Sequence, residues 1–317
     1  MKIVSSAKIS PKHQERLKEK FPKGDFYFFD NMQEATNELE TADILITYGV
    51  DVTEEIIDKA GNLKWIQVIS AGLDQMPFAR LQERGIVVTN AKGIHHIQMA
   101  EYTMAVILQL ARKINELQKN QEQRKWDQTV RTSEIYGATL GIIGYGSIGA
   151  GIAEKAKVFG MKVIGMNTDG RPAKHVDQMV SPEKMEYLLS ESDYVVLIVP
   201  LTDETYHLIG EKELNAMKDT AYLINIARGQ VVDDEALIKA LQENRIAGAA
   251  LDVFVEEPLP ENHVYWGLEN VILTPHMSGK SPNYIKRALD IFEENLEIYL
   301  DSQISQLINR IDLSKKY

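Results

Sequence analysis

The run Gly144-Tyr145-Gly146-Ser147-Ile148-Gly149 constrains the fold of this chain more than any other feature. It lies between an apolar strand pattern, Leu140-Gly141-Ile142-Ile143, and a helical pattern over residues 148–159. A lone G-x-G-x-x-G is a weak signal, but between a strand and a helix it has a mechanism. Gly144 permits the tight turn. Gly146 removes the side chain where a pyrophosphate must approach the backbone. Gly149 lets the helix pack close to the strand. The helix start then offers N–H groups and positive dipole charge to phosphates. Residues Gly144, Tyr145, Gly146, Ser147, Ile148 and Gly149 are therefore read as a dinucleotide-binding turn, and the fold class as α/β.

The turn comes late, and what precedes it already alternates. Strand patterns fall at residues 2–5, 26–29, 43–47, 63–69 and 86–89, with helical stretches at 13–20, 32–40, 54–60 and 77–84. Alternation restarts at Ala138, with strands at 139–143, 162–166, 194–199, 221–226, 246–251 and 271–273. Helices fit between them at 148–159, 182–191, 211–217 and 234–243. This order predicts parallel sheets covered by helices on both faces, the second with the six strands of a full dinucleotide-binding sheet. Residues 97–112 are apolar nearly all round, which predicts a buried helix, placed both between domains and in a subunit interface. Residues 115–131 read as an exposed helix and loop, and 281–299 as a long helix. A chain of 317 residues is too long for one ordinary core and suggests two domains of roughly 150 residues each.

The formal net charge is −11, so nucleic acid and anionic membrane are not expected partners. No cysteine is present, which excludes disulfides, thiolate metal sites and cysteine nucleophiles. No His/Asp/Glu group has metal-site spacing, so no metal is expected. The start, Met1-Lys2-Ile3-Val4-Ser5, reads as a strand and not as a signal peptide, and no apolar stretch reaches the length of a membrane span. A cytoplasmic protein is the expectation.

The end of the second strand of the later sheet bears on the cofactor. An acidic residue there binds the adenosine ribose hydroxyls of NAD and repels a 2′-phosphate. Here the sequence is Gly165-Met166-Asn167-Thr168-Asp169-Gly170-Arg171. Asn167 occupies the expected acidic position. Asn167 and Thr168 can donate to a phosphate, and Arg171 can pair with it. Asp169 argues the other way if it points at the ribose. NADPH is expected over NADH.

Three polar residues follow strands of the later half: Arg228 in Asn225-Ile226-Ala227-Arg228-Gly229, Glu257 in the stretch from Leu251 to Pro258, and His276 in Leu273-Thr274-Pro275-His276. Ligands of open parallel sheets bind at the carboxyl ends of strands, so all three can face one cleft beside a nicotinamide. Taken singly, each has a plain alternative: a surface ion pair, a turn residue before proline, a packed histidine. Their joint placement raises them together.

With these residues the chain resembles the D-isomer-specific 2-hydroxyacid dehydrogenases, in particular glyoxylate and hydroxypyruvate reductases. The resemblance spans essentially the whole chain. It rests on the late glycine turn, Val199-Pro200-Leu201-Thr202 with Thr205, Asn225 to Gly229, Leu251-Asp252-Val253 running to Glu257-Pro258, and Leu273 to His276. It implies a flavodoxin-like substrate domain of residues 1–96 and 281–317 and a Rossmann domain of residues 97–280, both doubly wound. It implies Arg228, Glu257 and His276 as the catalytic trio. Pro200, Thr205, Ala227, Asp252, Ser278 and Gly279 then join the cofactor site, with Asp252 at the nicotinamide carboxamide. In Val68-Ile69-Ser70-Ala71-Gly72-Leu73-Asp74 the N–H groups around Ala71 and Gly72 receive the substrate carboxylate, and Tyr48 with Gly49 lines the mouth. His95 and His96 are read as loop residues near a hinge and not as catalytic ones.

The physical roles fit the resemblance. Arg228 carries a permanent, planar charge that can hold a carboxylate and polarise a 2-oxo group. Protonated His276 can give a proton to the carbonyl oxygen as hydride reaches carbon. Glu257 would orient the imidazole. The expected activity is reduction of a small 2-oxo acid to a D-2-hydroxy acid by a homodimer. The alternatives are a dinucleotide-sensing protein of the corepressor type and a phosphoglycerate-type dehydrogenase. Formate oxidation is disfavoured, because formate dehydrogenases of this family carry Gln where Glu257 stands.

Overall fold

The computed structural model describes residues 1–73 and 75–314; Asp74 and residues 315–317, the end of the expected 281–317 segment, lie outside the described residues. The chain divides into two compact units, Met1–Ile94 with Ser281–Tyr317, and His95–Lys280.

The first unit opens with β1 (Lys2–Ser5), α1 (Pro11–Lys20), β2 (Asp25–Phe28), α2 (Met32–Leu39), β3 (Ile44–Thr47), α3 (Glu54–Lys59), β4 (Trp65–Val68), α4 (Phe78–Glu83) and β5 (Val87–Thr89). Its sheet has the order β2-β1-β3-β4-β5, and every pair in it is parallel. That is the flavodoxin-like winding. β3 and β4 are buried at every position, as strands covered on both faces must be, which is why they read as apolar runs without alternation. Side-chain caps start α2 and α3: Asn31 accepts from the Glu34 N–H and Thr53 from the Ile56 N–H.

The second unit continues with α5 (His96–Ala111), α6 (Ile114–Glu122), β6 (Thr139–Ile143), α7 (Ser147–Val158), β7 (Lys162–Met166), β8 (Gln178–Val180), α8 (Met185–Glu191), β9 (Tyr194–Leu197), α9 (Glu211–Ala216), β10 (Tyr222–Asn225), α10 (Asp234–Gln242), β11 (Gly248–Leu251) and β12 (Val271–Leu273). The sheet order is β12-β11-β10-β9-β6-β7-β8, again parallel throughout. This is the Rossmann order, and it has seven strands rather than the expected six. The added strand is β8, a three-residue edge strand paired with β7 alone. Its sequence, Gln178-Met179-Val180, opens on an exposed polar residue and lacks the β-branched apolar run that marks the equally short β5 and β12. The order reverses at β6, between β7 and β9, so the glycine turn at its carboxyl end stands at the topological switch point where such sheets bind ligands.

The apolar helix α5 is accounted for within its own unit. Met99, Ala100, Met104, Val106, Ile107, Leu110 and Ala111 join a core cluster with Leu140 and Ile142 of β6 and Ile152 and Ala153 of α7. Gly151 permits the close crossing, since a Cβ there would sit 2.9 Å from the His96 carbonyl oxygen. Burial in this core covers these seven apolar residues within the unit itself. His95 and His96, read as loop residues, stand at the N-terminus of α5.

The chain then returns to the first unit with α11 (Tyr284–Leu300). Ala288, Leu289, Phe292 and Leu296 of this helix are buried. Trp65 of β4 stacks against Phe292 at 5.5 Å and Tyr299 at 5.2 Å. Asn295 is wholly buried. Its amide donates to Gln67 Oε1 and to the Ile308 carbonyl, and its Oδ1 accepts from the Ile308 N–H. Thr89 completes this network, accepting from Trp65 Nε1 and donating to Gln67 Oε1, both at 2.8 Å.

Candidate active site

The glycine turn has the geometry its spacing predicts. Gly144 has φ +102, and a Cβ there would lie 2.6 Å from the Ile198 carbonyl oxygen of the neighbouring strand end. No other residue fits that position without displacing backbone. The N–H groups of Gly144 and Tyr145 both donate to Met166 O, tying the turn to the end of β7. Gly146 has nothing within 4 Å of where a Cβ would stand. Space is therefore open at the amino end of α7, in front of the first-turn N–H groups of Ser147, Ile148 and Gly149. Gly149 is buried, 3.2 Å from the Gly144 carbonyl oxygen at its virtual Cβ. Open backbone, a twelve-residue helix and free first-turn donors fit a pyrophosphate.

The segment after β7 forms a closed loop. Asn167 Nδ2 donates to the Arg171 carbonyl at 3.2 Å, and the Arg171 N–H donates to Asp169 Oδ1 at 3.2 Å. Arg171 Nε lies 3.3 Å from Asp169 Oδ2. Thr168 is exposed. The Tyr145 hydroxyl donates to the Lys174 carbonyl at 2.5 Å, strapping the far side of the loop to the glycine turn. Burial raises the pKa of this phenol, so it stays a donor.

Arg228, Glu257 and His276 follow β10, β11 and β12 of one sheet. His276 Nδ1 and Glu257 Oε2 are 2.8 Å apart, and the second Glu257 oxygen accepts from the Phe254 N–H at 3.0 Å. The carboxylate is thus fixed by backbone and in turn fixes the imidazole, which leaves Nε2 as the ring atom available for proton transfer. His276 has φ +51, a conformation that costs a non-glycine residue energy and persists only where its surroundings enforce it. The enforcement is visible: the His276 N–H donates to Asp252 O at 2.8 Å and Thr274 O at 3.0 Å. Arg228 is half-buried and donates from Nη1 to the Ala227 carbonyl. The Asn225 side chain clasps this segment from inside, with Oδ1 accepting from the Ala227 N–H and Nδ2 donating to the Arg228 carbonyl.

Several residues support these three through contacts that their sequence motifs do not reveal. Gly229 is one, since a Cβ there would fall 2.0 Å from the Phe254 carbonyl carbon. Its bare backbone lets the Arg228 segment lie directly against the segment leading to Glu257. Asp252, expected at the nicotinamide carboxamide, has 0% exposure. Its oxygens accept from Thr274 Oγ1 at 2.5 Å, Met277 N at 2.8 Å and Ser278 N at 2.9 Å. Its position makes it the clamp of the His276 turn. Because Thr274 donates to Asp252, the Tyr102 hydroxyl, 2.6 Å from Thr274 Oγ1, must be the donor of that pair. Burial pushes the Tyr102 hydroxyl up to about 12, so it keeps its proton. From the same helix, Gln98 Nε2 donates to the Gly279 carbonyl, and the His95 ring packs where a Gly279 Cβ would stand. Burial lowers the pKa of His95. The start of α5 thereby holds the turn of His276, Ser278 and Gly279 in place. Only the tertiary fold brings Tyr102 and Thr274 together across the sequence.

The remaining expected residues stand at strand ends of their own units. Thr205 Oγ1 donates to the Pro200 carbonyl at 2.6 Å and accepts from the Thr202 N–H, closing the turn after β9. In the first unit, the turn after β4 is held by Ser70, whose hydroxyl contacts the Tyr48 and Gly72 carbonyls at 3.0 and 2.9 Å. Asn90 Nδ2 donates to the Ala71 carbonyl. These bonds occupy carbonyl oxygens of the turn, while Gly72 is exposed and Ala71 half-buried. Tyr48 follows β3 and is 37% exposed. Among the described residues no group of three or more His, Asp or Glu side chains is placed to hold a metal ion, and no helix is long and apolar enough to cross a membrane.

Residues 104–278 match the family model "D-isomer specific 2-hydroxyacid dehydrogenase, NAD binding domain". A glyoxylate reductase of Korarchaeum cryptofilum is 37% identical over 279 residues, covering 86% of this chain and 84% of that one. Among solved structures, an acyclic imino acid reductase in complex with NADPH and D-Arg superposes with a TM-score of 0.85 at 32% identity, over 98% of this chain and 100% of that one. A D-lactate dehydrogenase of Aquifex aeolicus complexed with NAD and lactic acid does so with a TM-score of 0.81 at 28% identity, over 98% and 99% of the two chains.

Proposed function

This chain belongs to the D-isomer-specific 2-hydroxyacid dehydrogenase family and is an NAD(P)-dependent enzyme, and on that premise we propose that it reduces a small 2-oxo acid of the glyoxylate or hydroxypyruvate kind, with NADPH preferred over NADH. The observation that carries the reading is the His276–Glu257 pair at 2.8 Å on a turn anchored by buried Asp252.

When bound, the nicotinamide supplies the hydride. The protein's part is to bind, orient and move one proton. Arg228 holds the substrate carboxylate and polarises the 2-oxo group, lowering the cost of charge that develops on oxygen. His276 delivers a proton from Nε2 to that oxygen, and in the reverse direction accepts it from the alcohol. Glu257 keeps Nδ1 engaged, so the ring presents one face and one nitrogen. In the first unit the N–H groups of Ala71 and Gly72 receive the carboxylate, and Tyr48 limits the side chain the acid can carry. Gly144 to Gly149 take the pyrophosphate, while Asn167, Thr168 and Arg171 take the adenosine ribose and its 2′-phosphate. Pro200, Thr205, Ala227, Asp252, Ser278 and Gly279 complete the cofactor contacts, with Asp252 on the nicotinamide side.

A panel of 2-oxo acids assayed with NADPH and NADH tests this reading. Turnover is expected with two- and three-carbon acids and a higher kcat/KM with NADPH. Cofactor binding without oxidation by any 2-oxo acid would favour a dinucleotide-sensing role instead. We further propose a cytoplasmic homodimer. Beyond α6 the chain leaves Trp126 89% and Tyr136 79% exposed, large apolar surfaces of the kind an interface covers. Light scattering at micromolar concentration that returns the mass of one chain would refute the dimer.

A further inference from the structure

In the loop after β7, Asp169 and Arg171 face each other across Gly170, whose φ of +68 makes the reversal possible. Both carboxylate oxygens of Asp169 are engaged: Oδ1 by the Arg171 N–H at 3.2 Å, Oδ2 by Arg171 Nε at 3.3 Å. The only arginine of this loop is therefore already paired with an acid of the same loop. The pair is solvated, with side-chain exposures of 75% and 53%. Exposed pairs of this kind hold weakly, shifting an equilibrium by about two- to fivefold. Asn167 differs in kind. Its Oδ1 is buried with no hydrogen-bond partner, while its Nδ2 is spent on the Arg171 carbonyl. A buried acceptor without a donor suits a hydroxyl, not a phosphate. A ribose hydroxyl common to NAD and NADP meets that need, so Asn167 does not discriminate between them. Discrimination falls to the charges, Arg171 and Asp169.

We propose that Asp169 is an intramolecular rival of the cofactor's 2′-phosphate for Arg171, so that the Asp169–Arg171 pair sets how far this loop prefers NADPH. The proposal rests on the NADPH-preferring reading given above. A 2′-phosphate carries more charge than a carboxylate and presents several acceptors to the guanidinium fork. It wins Arg171, but it must break the existing pair and then sit beside the displaced carboxylate. Both effects weaken NADPH binding and leave NADH untouched. The acid thus acts as an attenuator of preference and makes no contact of its own with the ribose.

The test uses the full chain and two fragments, 2′,5′-ADP and 5′-AMP, titrated by calorimetry into wild type, Asp169→Asn, Arg171→Ala and the double variant. Asparagine keeps an acceptor for the Arg171 N–H and removes only the charge. Asp169→Asn is expected to tighten 2′,5′-ADP about fivefold and leave 5′-AMP within about twofold. Arg171→Ala is expected to weaken 2′,5′-ADP about tenfold or more and to abolish the gain in the double variant. Weaker 5′-AMP binding by Asp169→Asn would make Asp169 a ribose ligand and overturn the proposal. If Arg171→Ala weakens 2′,5′-ADP while Asp169→Asn changes nothing, the rivalry fails and the NADPH reading stands. If Arg171→Ala changes nothing, the NADPH reading itself falls.

Discussion

In the first unit the buried polar groups Trp65, Gln67, Thr89 and Asn295 join β4 and β5 to the returning helix α11. In the second, Tyr102, Thr274 and Asp252 join α5 to the turn that carries His276. Both networks cross long stretches of sequence, and both satisfy side chains that would be costly to bury alone. They end differently. The first ends at the Ile308 backbone and fastens a tail to a sheet. The second ends on the N–H groups of Met277 and Ser278 and fixes a histidine in a left-handed conformation. One network spends its hydrogen bonds on holding the fold closed, the other on holding still the histidine proposed as proton donor. Similar chemistry should therefore give opposite readouts when disturbed: lost stability in the first unit, lost turnover in the second.

The largest effects are expected where the second network ends. His276→Ala and Arg228→Gln should each lower kcat/KM about a thousandfold or more, the scale of losing a positioned proton donor or a charge that stabilises developing negative charge. The melting temperature and the dinucleotide Kd, measured by scanning calorimetry and titration, should stay close to wild type. Activity like wild type in either variant would end the assignment of the trio.

Next come substitutions at the centre of each network, and these test the comparison itself. Asp252→Ala leaves the Met277 and Ser278 N–H groups and the Thr274 hydroxyl without their acceptor. The His276 turn should lose its geometry, and kcat should fall about a hundredfold, as misplacement by about 1 Å can cause. Asn295→Ala removes three hydrogen bonds and should destabilise by about 2–3 kcal/mol. The kcat of its folded fraction should match wild type. If Asn295→Ala lowered kcat with no change in melting temperature, the division between a structural and a catalytic network would be wrong.

Much of this was legible in the sequence. The glycine turn and the alternation of strands and helices rest on patterns local to a strand and the residues after it, while the two windings and the choice of Arg228, Glu257 and His276 came with the family resemblance. What stayed hidden depends on distant partners. β8 lacks the β-branched apolar run that marks the equally short β5 and β12. Gly229 resembles any glycine after an arginine until the Phe254 backbone is seen against it. The family resemblance implied Asp252 as a cofactor contact, but its bonds to Thr274, Met277 and Ser278 appear only once the fold brings those groups to it. The packing of apolar α5 against β6 and α7 was equally out of reach, since composition shows that a face must be covered but not by what.

The smallest effect belongs to the hydroxyls at the edge of each network. Thr89→Val takes the acceptor from Trp65 Nε1, a buried donor with nowhere else to turn, and should cost about 1–2 kcal/mol of stability. Tyr102→Phe removes a donor instead. Thr274 still donates to Asp252, so no buried donor is orphaned, and the stability cost should stay below about 1 kcal/mol. Its effect should appear in kcat, lowered a few-fold, with KM for the 2-oxo acid little changed, because the hydroxyl steadies the turn under His276 and does not touch substrate. The pair is a direct test: Thr89→Val should move the melting temperature and not kcat, and Tyr102→Phe the reverse. A Tyr102→Phe variant with lowered melting temperature and unchanged kcat would show that the second network, like the first, serves only the fold.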